Sequence, residues 1–68
     1  MAKIPINAAR VAAGFTQEQL AEKMEVSRQT VIEWENGKRV MKAAYLYFFC
    51  KITGFSEDDI LLPTKKRR

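Results

Sequence analysis

The chain has 68 residues, twelve Lys and Arg against eight Asp and Glu, and a formal net charge of +4. That length suits one domain with one modest core, and a hydrophobic fraction of 47% excludes disorder along the whole chain. With no histidine and a single cysteine, Cys50, the commonest general base and any zinc ligand set are missing, so neither an enzyme nor a cofactor or metal is expected.

Helical spacing dominates and no stretch alternates with period two, which predicts an all-α fold. The first predicted helix runs from about Pro5 to Ala13, with Gly14 where a C-terminal cap belongs. Thr16 is placed to cap a second helix over Gln17 to Met24, and Gln19 three residues on completes a capping box. Leu20, Ala21 and Met24 form its apolar stripe. Ser27 opens a third helix from Arg28 to about Asn36, which Gly37 stops. Residues 38–41 form a basic connector. A fourth helix follows from about Lys42 to Thr53, capped by Gly54. Ser56 caps a short fifth helix to about Leu62, where Pro63 ends it. Glu57, Asp58 and Asp59 lie at its start, where acids favour the helix dipole. Residues 1–63 thus form the domain, and residues 64–68 a basic flexible tail.

The longest apolar run, residues 43–50, falls far short of the ~20 residues of a membrane span, so no membrane partner is expected. Lys3 is followed by no apolar run of the signal-peptide kind. Cys50 lies among apolar residues and has no internal disulfide partner, which suits a core position in a protein of a reducing cytoplasm. Lys65, Lys66, Arg67 and Arg68 carry the whole net charge, because the other eight basic residues balance the eight acidic ones. Local clustering of Lys38, Arg39 and Lys42 therefore says more about partners than the total.

Residues 17–36 have the spacing of two helices packed tightly across a short turn. Leu20 and Met24 face the partner helix, Ala21 is small where the helices come closest, Val26 follows the turn, and Val31 and Trp34 point inward from the second helix. The turn position itself, Glu25, departs from the pattern. Glycine is favoured there because the turn requires positive φ, and a glutamate in that geometry costs about 1–2 kcal/mol.

Residues 6–36, in the stretch INAARVAAGFTQEQLAEKMEVSRQTVIEWENGKR, resemble the lambda-repressor-like helix-turn-helix family of phage repressors, Cro proteins and small bacterial regulators. TQEQLA and WENGK, correctly spaced around VS, carry the resemblance, and GFSEDDIL is similar to the family's closing segment. The resemblance implies a compact five-helix domain whose third helix enters the DNA major groove.

Helical phase indicates which side chains would meet the bases. With Val31 and Trp34 inward, a step of ~100° per residue puts Arg28, Gln29, Ile32, Glu33 and Asn36 on the opposite face. Arg28 suits guanine, Gln29 adenine and Glu33 the cytosine amine, while Ile32 suits a thymine methyl. The bland alternative is an ordinary solvated face. Resemblance to the family assigns phosphate contacts to Gln17, Ser27 and Asn36, while Thr16 and Ser27 either cap alone or cap and contact phosphate too; Lys38, Arg39 and Lys42 add charge. The family also commonly pairs the positions of Arg10 and Glu35. Arg10 shares a face with Ile6, Ala9 and Ala13, so its guanidinium needs such a partner, and a structural ion pair is expected.

The fourth helix is more apolar than a core-facing stripe of Leu46, Phe49, Cys50 and Thr53 requires. Tyr45 and Phe48, with Leu61 and Leu62, either overfill the core or form a surface for a second copy or another protein. The reading that follows is a Cro-type repressor, binding a pseudopalindromic double-stranded operator as a homodimer and occluding a promoter, with half-sites about 34 Å apart. Its rival is a modulator, antirepressor or antitoxin that works mainly by gripping another regulator.

Overall fold

A computed structural model describes residues 3–63; the basic segment 64–68 lies outside the described residues. A two-residue strand β1 (Ile4–Pro5) leads into α1 (Ile6–Ala12), α2 (Gln17–Met24), α3 (Arg28–Asn36) and α4 (Ala43–Thr53). A 3-10 turn (Glu57–Asp59) and strand β2 (Ile60–Leu61) are the last elements among the described residues. Capping sets most of these boundaries. Thr16 Oγ1 accepts from the Gln19 N–H at 3.0 Å while the Gln19 side chain accepts from the Thr16 N–H at 3.0 Å, the reciprocal box its spacing predicts. Ser27 Oγ accepts from the Thr30 N–H at 3.1 Å, and Gly37 and Gly54 end α3 and α4 in the left-handed region. α1 starts at Ile6, one residue after the predicted start, with Pro5 as its extended N-cap.

The predicted fifth helix is not formed. Ser56 holds the N-cap position, where Asp59 Oδ2 accepts from its N–H at 3.2 Å and from its hydroxyl at 3.0 Å. The turn stops after three residues, because Ile60 leaves it with φ −102° and ψ 128°. Extended there, Ile60 buries its side chain and pairs in parallel with Ile4, and Leu61 pairs with Pro5. A β-branched residue followed shortly by proline gains more from that pairing than from another helical turn. The described residues are therefore mostly helical, with four α-helices and a minimal two-stranded sheet that joins β1 to β2.

The core gathers one stripe from each helix. Trp34, Phe49, Ile6, Leu20 and Val31 are fully buried, each worth about 1.5–3 kcal/mol relative to exposure. Ala21 is buried between α2 and α3, whose mutual contact is the most extensive between helices. Met41 from the connector and Ile60 complete the core. Cys50 lies at its edge, where burial first, and the charges of Glu57 and Asp59 second, push its thiol pKa up and keep it protonated. Pro63 lies against the close of α3: a Cβ at Gly37, whose φ is +84°, would meet Pro63 Cβ at 3.3 Å.

Candidate nucleic-acid interface

The bihelical unit α2–α3 fixes the orientation of α3 rigidly. Val31 and Trp34 are buried against α2 and the core, so the opposite side of α3 is presented outward. Arg28 and Gln29 stand exposed in its first turn, with Ile32 and Glu33 partly covered one turn later. At the helix start the Ser27 hydroxyl also shares a 2.9 Å hydrogen bond with Thr30 Oγ1. The connection between the helices turns at Glu25, which holds φ 59° and ψ 42°. The Val26 N–H donates to Ala21 O at 3.0 Å and the Glu25 N–H to Glu22 O at 3.2 Å, the paired bonds of a Schellman turn. The left-handed geometry expected at that position is kept despite the glutamate.

Several side chains on this surface are bound to each other. Glu33 Oε1 accepts from Arg39 Nε at 3.0 Å and pairs with Arg39 Nη2 at 2.9 Å. Glu33 Oε2 accepts from Gln29 Nε2 at 3.3 Å. The Arg39 hydrogen bond first, and the Gln29 amide second, hold the Glu33 carboxyl below its ordinary pKa. Glu33, expected to accept from a base, thus already has two donors, and Arg39, expected at phosphate, is directed to Glu33. Gln17 departs from the phosphate assignment too. Its Nε2 donates to Glu35 Oε1 at 3.0 Å and belongs to the interior network. Asn36 Oδ1 accepts from the Lys38 N–H at 3.0 Å, shaping the turn after α3. Among the described residues, no ion pair engages Arg28, Lys38 or Lys42, which are all exposed.

Arg10 and Glu35 meet as expected. Arg10 Nε donates to Glu35 Oε2 at 2.6 Å, with side-chain exposures of 13% and 10%. Nη1 donates to Phe15 O at 2.8 Å, binding the α1–α2 turn to the same guanidinium. The pair locks α1, the α1–α2 turn and α3 together, and through α3 it orients the outward face.

On α4, Tyr45 and Phe48 are 41% and 40% exposed, so neither belongs to the buried core. Tyr47 and Leu61 are exposed as well, but Leu62 packs partly buried against the core and drops out of that surface. Tyr45 stacks at a tilt on Trp34, centroids 5.3 Å apart. With Thr30, Arg39, Val40 and Lys42 it lines a groove beside the connector. Neither Thr30 nor the exposed Val40 is among the site residues that the sequence indicates, since Val40 lies in the connector, where no helical phase assigns a face.

A helix-turn-helix family model matches residues 6–60, from the start of α1 to the first residue of β2. The chain belongs to the lambda-repressor-like helix-turn-helix family. This helix-turn-helix protein is accordingly a DNA-binding regulator, from a family of regulators and not of enzymes. No curated protein and no solved structure matches it. Among the described residues no helix is long and apolar enough to cross a membrane.

Proposed function

We propose that the protein is a sequence-specific repressor of the Cro type, acting in the cytoplasm of a bacterial or phage-infected cell. It binds a pseudopalindromic operator as a two-fold dimer and excludes the transcription machinery from a promoter. The observation that carries this reading is the outward face of α3, where Arg28 and Gln29 are exposed beside the helix start while Val31 and Trp34 hold the helix in place. Lys38 and Lys42, both exposed in the segment that follows α3, suit backbone phosphates. Base reading falls to Arg28 and Gln29, with Ile32 available to a thymine methyl.

Selection from a random duplex pool tests the proposal. One recurrent half-site is expected, repeated with two-fold symmetry. Arg28→Ala and Gln29→Ala should each weaken the selected duplex by about 1–3 kcal/mol and barely affect a random one. Lys38→Ala should weaken both alike. Equal losses in all three variants would show that α3 does not read bases.

The exposed aromatics of α4 favour one further role. Tyr45 and Phe48 lie three residues apart on one helix face, which suits self-association or, as the second reading, the grip of a modulator or antitoxin on another regulator.

A further inference from the structure

A carboxylate on a surface that meets phosphates is repelled unless a cation neutralises it. Glu33 has such a cation, and two independent bonds place it. The Arg39 N–H donates to the Glu33 carbonyl at 3.2 Å, setting the backbone of residue 39 against the end of α3. The guanidinium then closes on Oε1 through Nε and Nη2. With Oε1 so occupied, Oε2 is left to the Gln29 amide at 3.3 Å. Gln29 thereby spends one amide hydrogen on Glu33 and keeps the other, together with Oε1. That remaining donor and acceptor are the pair that adenine N7 and N6 require.

We infer that Glu33 and Arg39 form a selectivity lock for Gln29: Arg39 holds the Glu33 carboxylate away from the bases, and Glu33 holds the Gln29 amide in the adenine-reading orientation. Glu33 is then a positioning residue and not a reader, and Arg39 acts on sequence choice through it. Release of Arg39 would free a carboxylate on the reading face, and a free carboxylate there accepts from the cytosine N4 amine. The lock thus suppresses a cytosine preference that the sequence of α3 would otherwise carry. This inference rests on α3 reading bases, as proposed above.

The test is selection from a random duplex pool with the full chain and its Arg39→Ala, Arg39→Lys, Glu33→Ala and Glu33→Ala/Arg39→Ala variants. Circular dichroism accompanies it to show that each is folded. The Arg39 side chain is 56% exposed, so its removal leaves the core untouched. Wild type should select an adenine that Gln29→Ala no longer selects. Arg39→Ala should lose that adenine preference by about tenfold or more and gain cytosine at the same or an adjacent position. The double variant should select as Glu33→Ala alone does, because Arg39 has nothing left to act on. Arg39→Lys keeps the charge but not the two-pronged grip. It should retain the wild-type salt dependence while its adenine selectivity falls between those of wild type and Arg39→Ala. If Arg39→Ala instead lowers binding to every duplex by one factor and flattens the salt slope, Arg39 is a phosphate contact and the lock is refuted. A wild-type chain that selects no sequence at all would overturn base reading itself, a result distinct from selection that is indifferent to residue 39.

Discussion

Glu25→Gly should stabilise the protein, and the size of the gain follows from two turns of the same construction. α1 ends with the Phe15 N–H donating to Arg10 O and the Gly14 N–H to Val11 O; α2 ends with Val26 donating to Ala21 and Glu25 to Glu22. The bonding is the same, but one turn has glycine at φ 89° and the other glutamate at φ 59°. Relief of left-handed strain is worth about 1–2 kcal/mol, and the freer unfolded chain of a glycine variant offsets about 0.4–1 kcal/mol. The Glu25 side chain is exposed and, among the described residues, makes no hydrogen bond, so no contact is lost. A net gain of about 1 kcal/mol remains, or roughly 4–8 °C in Tm for a domain of this size. Glu25→Ala provides the control. It removes the same carboxylate from the C-terminal end of the helix dipole but keeps the strain. Thermal and urea unfolding of the three proteins give the comparison, with DNA binding measured alongside and expected to persist. A glycine variant no more stable than the alanine one would refute the strain argument.

Other expectations follow from the ion pairs and from α4. Arg10→Ala should destabilise by about 3 kcal/mol, the lower end for a buried pair because some exposure remains, and it strands Glu35 with only the Gln17 amide. Replacing Arg10 and Glu35 together by apolar residues should be milder, and additive losses in that cycle would rule out direct coupling. Because the folded pKa of Glu33 is lowered, its pair with Arg39 contributes stability above the unfolded value of about 4.3. That contribution disappears as pH falls through the lowered folded value. An NMR titration of Glu33 should show its midpoint move up in Arg39→Ala, and an unmoved midpoint would contradict the pairing. Phe48→Lys should remain folded but monomeric and bind a full site roughly 10²–10⁴-fold more weakly. Unchanged assembly, DNA affinity and protein partners would remove any binding role from that surface.

The helices were legible because their signals are local. Thr16 with Gln19, Ser27 before Arg28, and Gly37 and Gly54 after their helices each satisfy orphan backbone groups within one turn, and spacing alone exposes them. The strand pair was not. Ile4 and Ile60 are 56 positions apart, and two residues carry no period. Ile60 instead follows a cap and three acids that read as a helix start. In the site, the inward set of Val31 and Trp34 determined the outward one, so Arg28 and Gln29 emerged from phase alone. The engagement of Glu33 did not. Gln29 and Glu33 have the i, i+4 spacing that brings helix neighbours together, but Arg39 is six residues from Glu33 and beyond the helix end. Only the path of the connector brings them together.

That pairing has a consequence for affinity. Arg10 neutralises Glu35 and Arg39 neutralises Glu33. On and beside α3 this leaves Arg28, Lys38 and Lys42 as exposed cations with no ion pair among the described residues. If Arg28 is committed to a base, two lysines per protomer are left for phosphates. Each phosphate neutralised contributes about 0.9 to the slope of log K against log salt. The described domain should therefore show a shallow salt dependence, roughly two per half-site. The four charges of Lys65, Lys66, Arg67 and Arg68 could more than double it. Titrations across salt concentrations, on the full chain and on one ending at Pro63, separate the contributions. The shortened chain should keep its sequence preference and fall to a slope of about two. A steeper slope in that chain would mean that Arg39 leaves Glu33 for the phosphates when DNA binds.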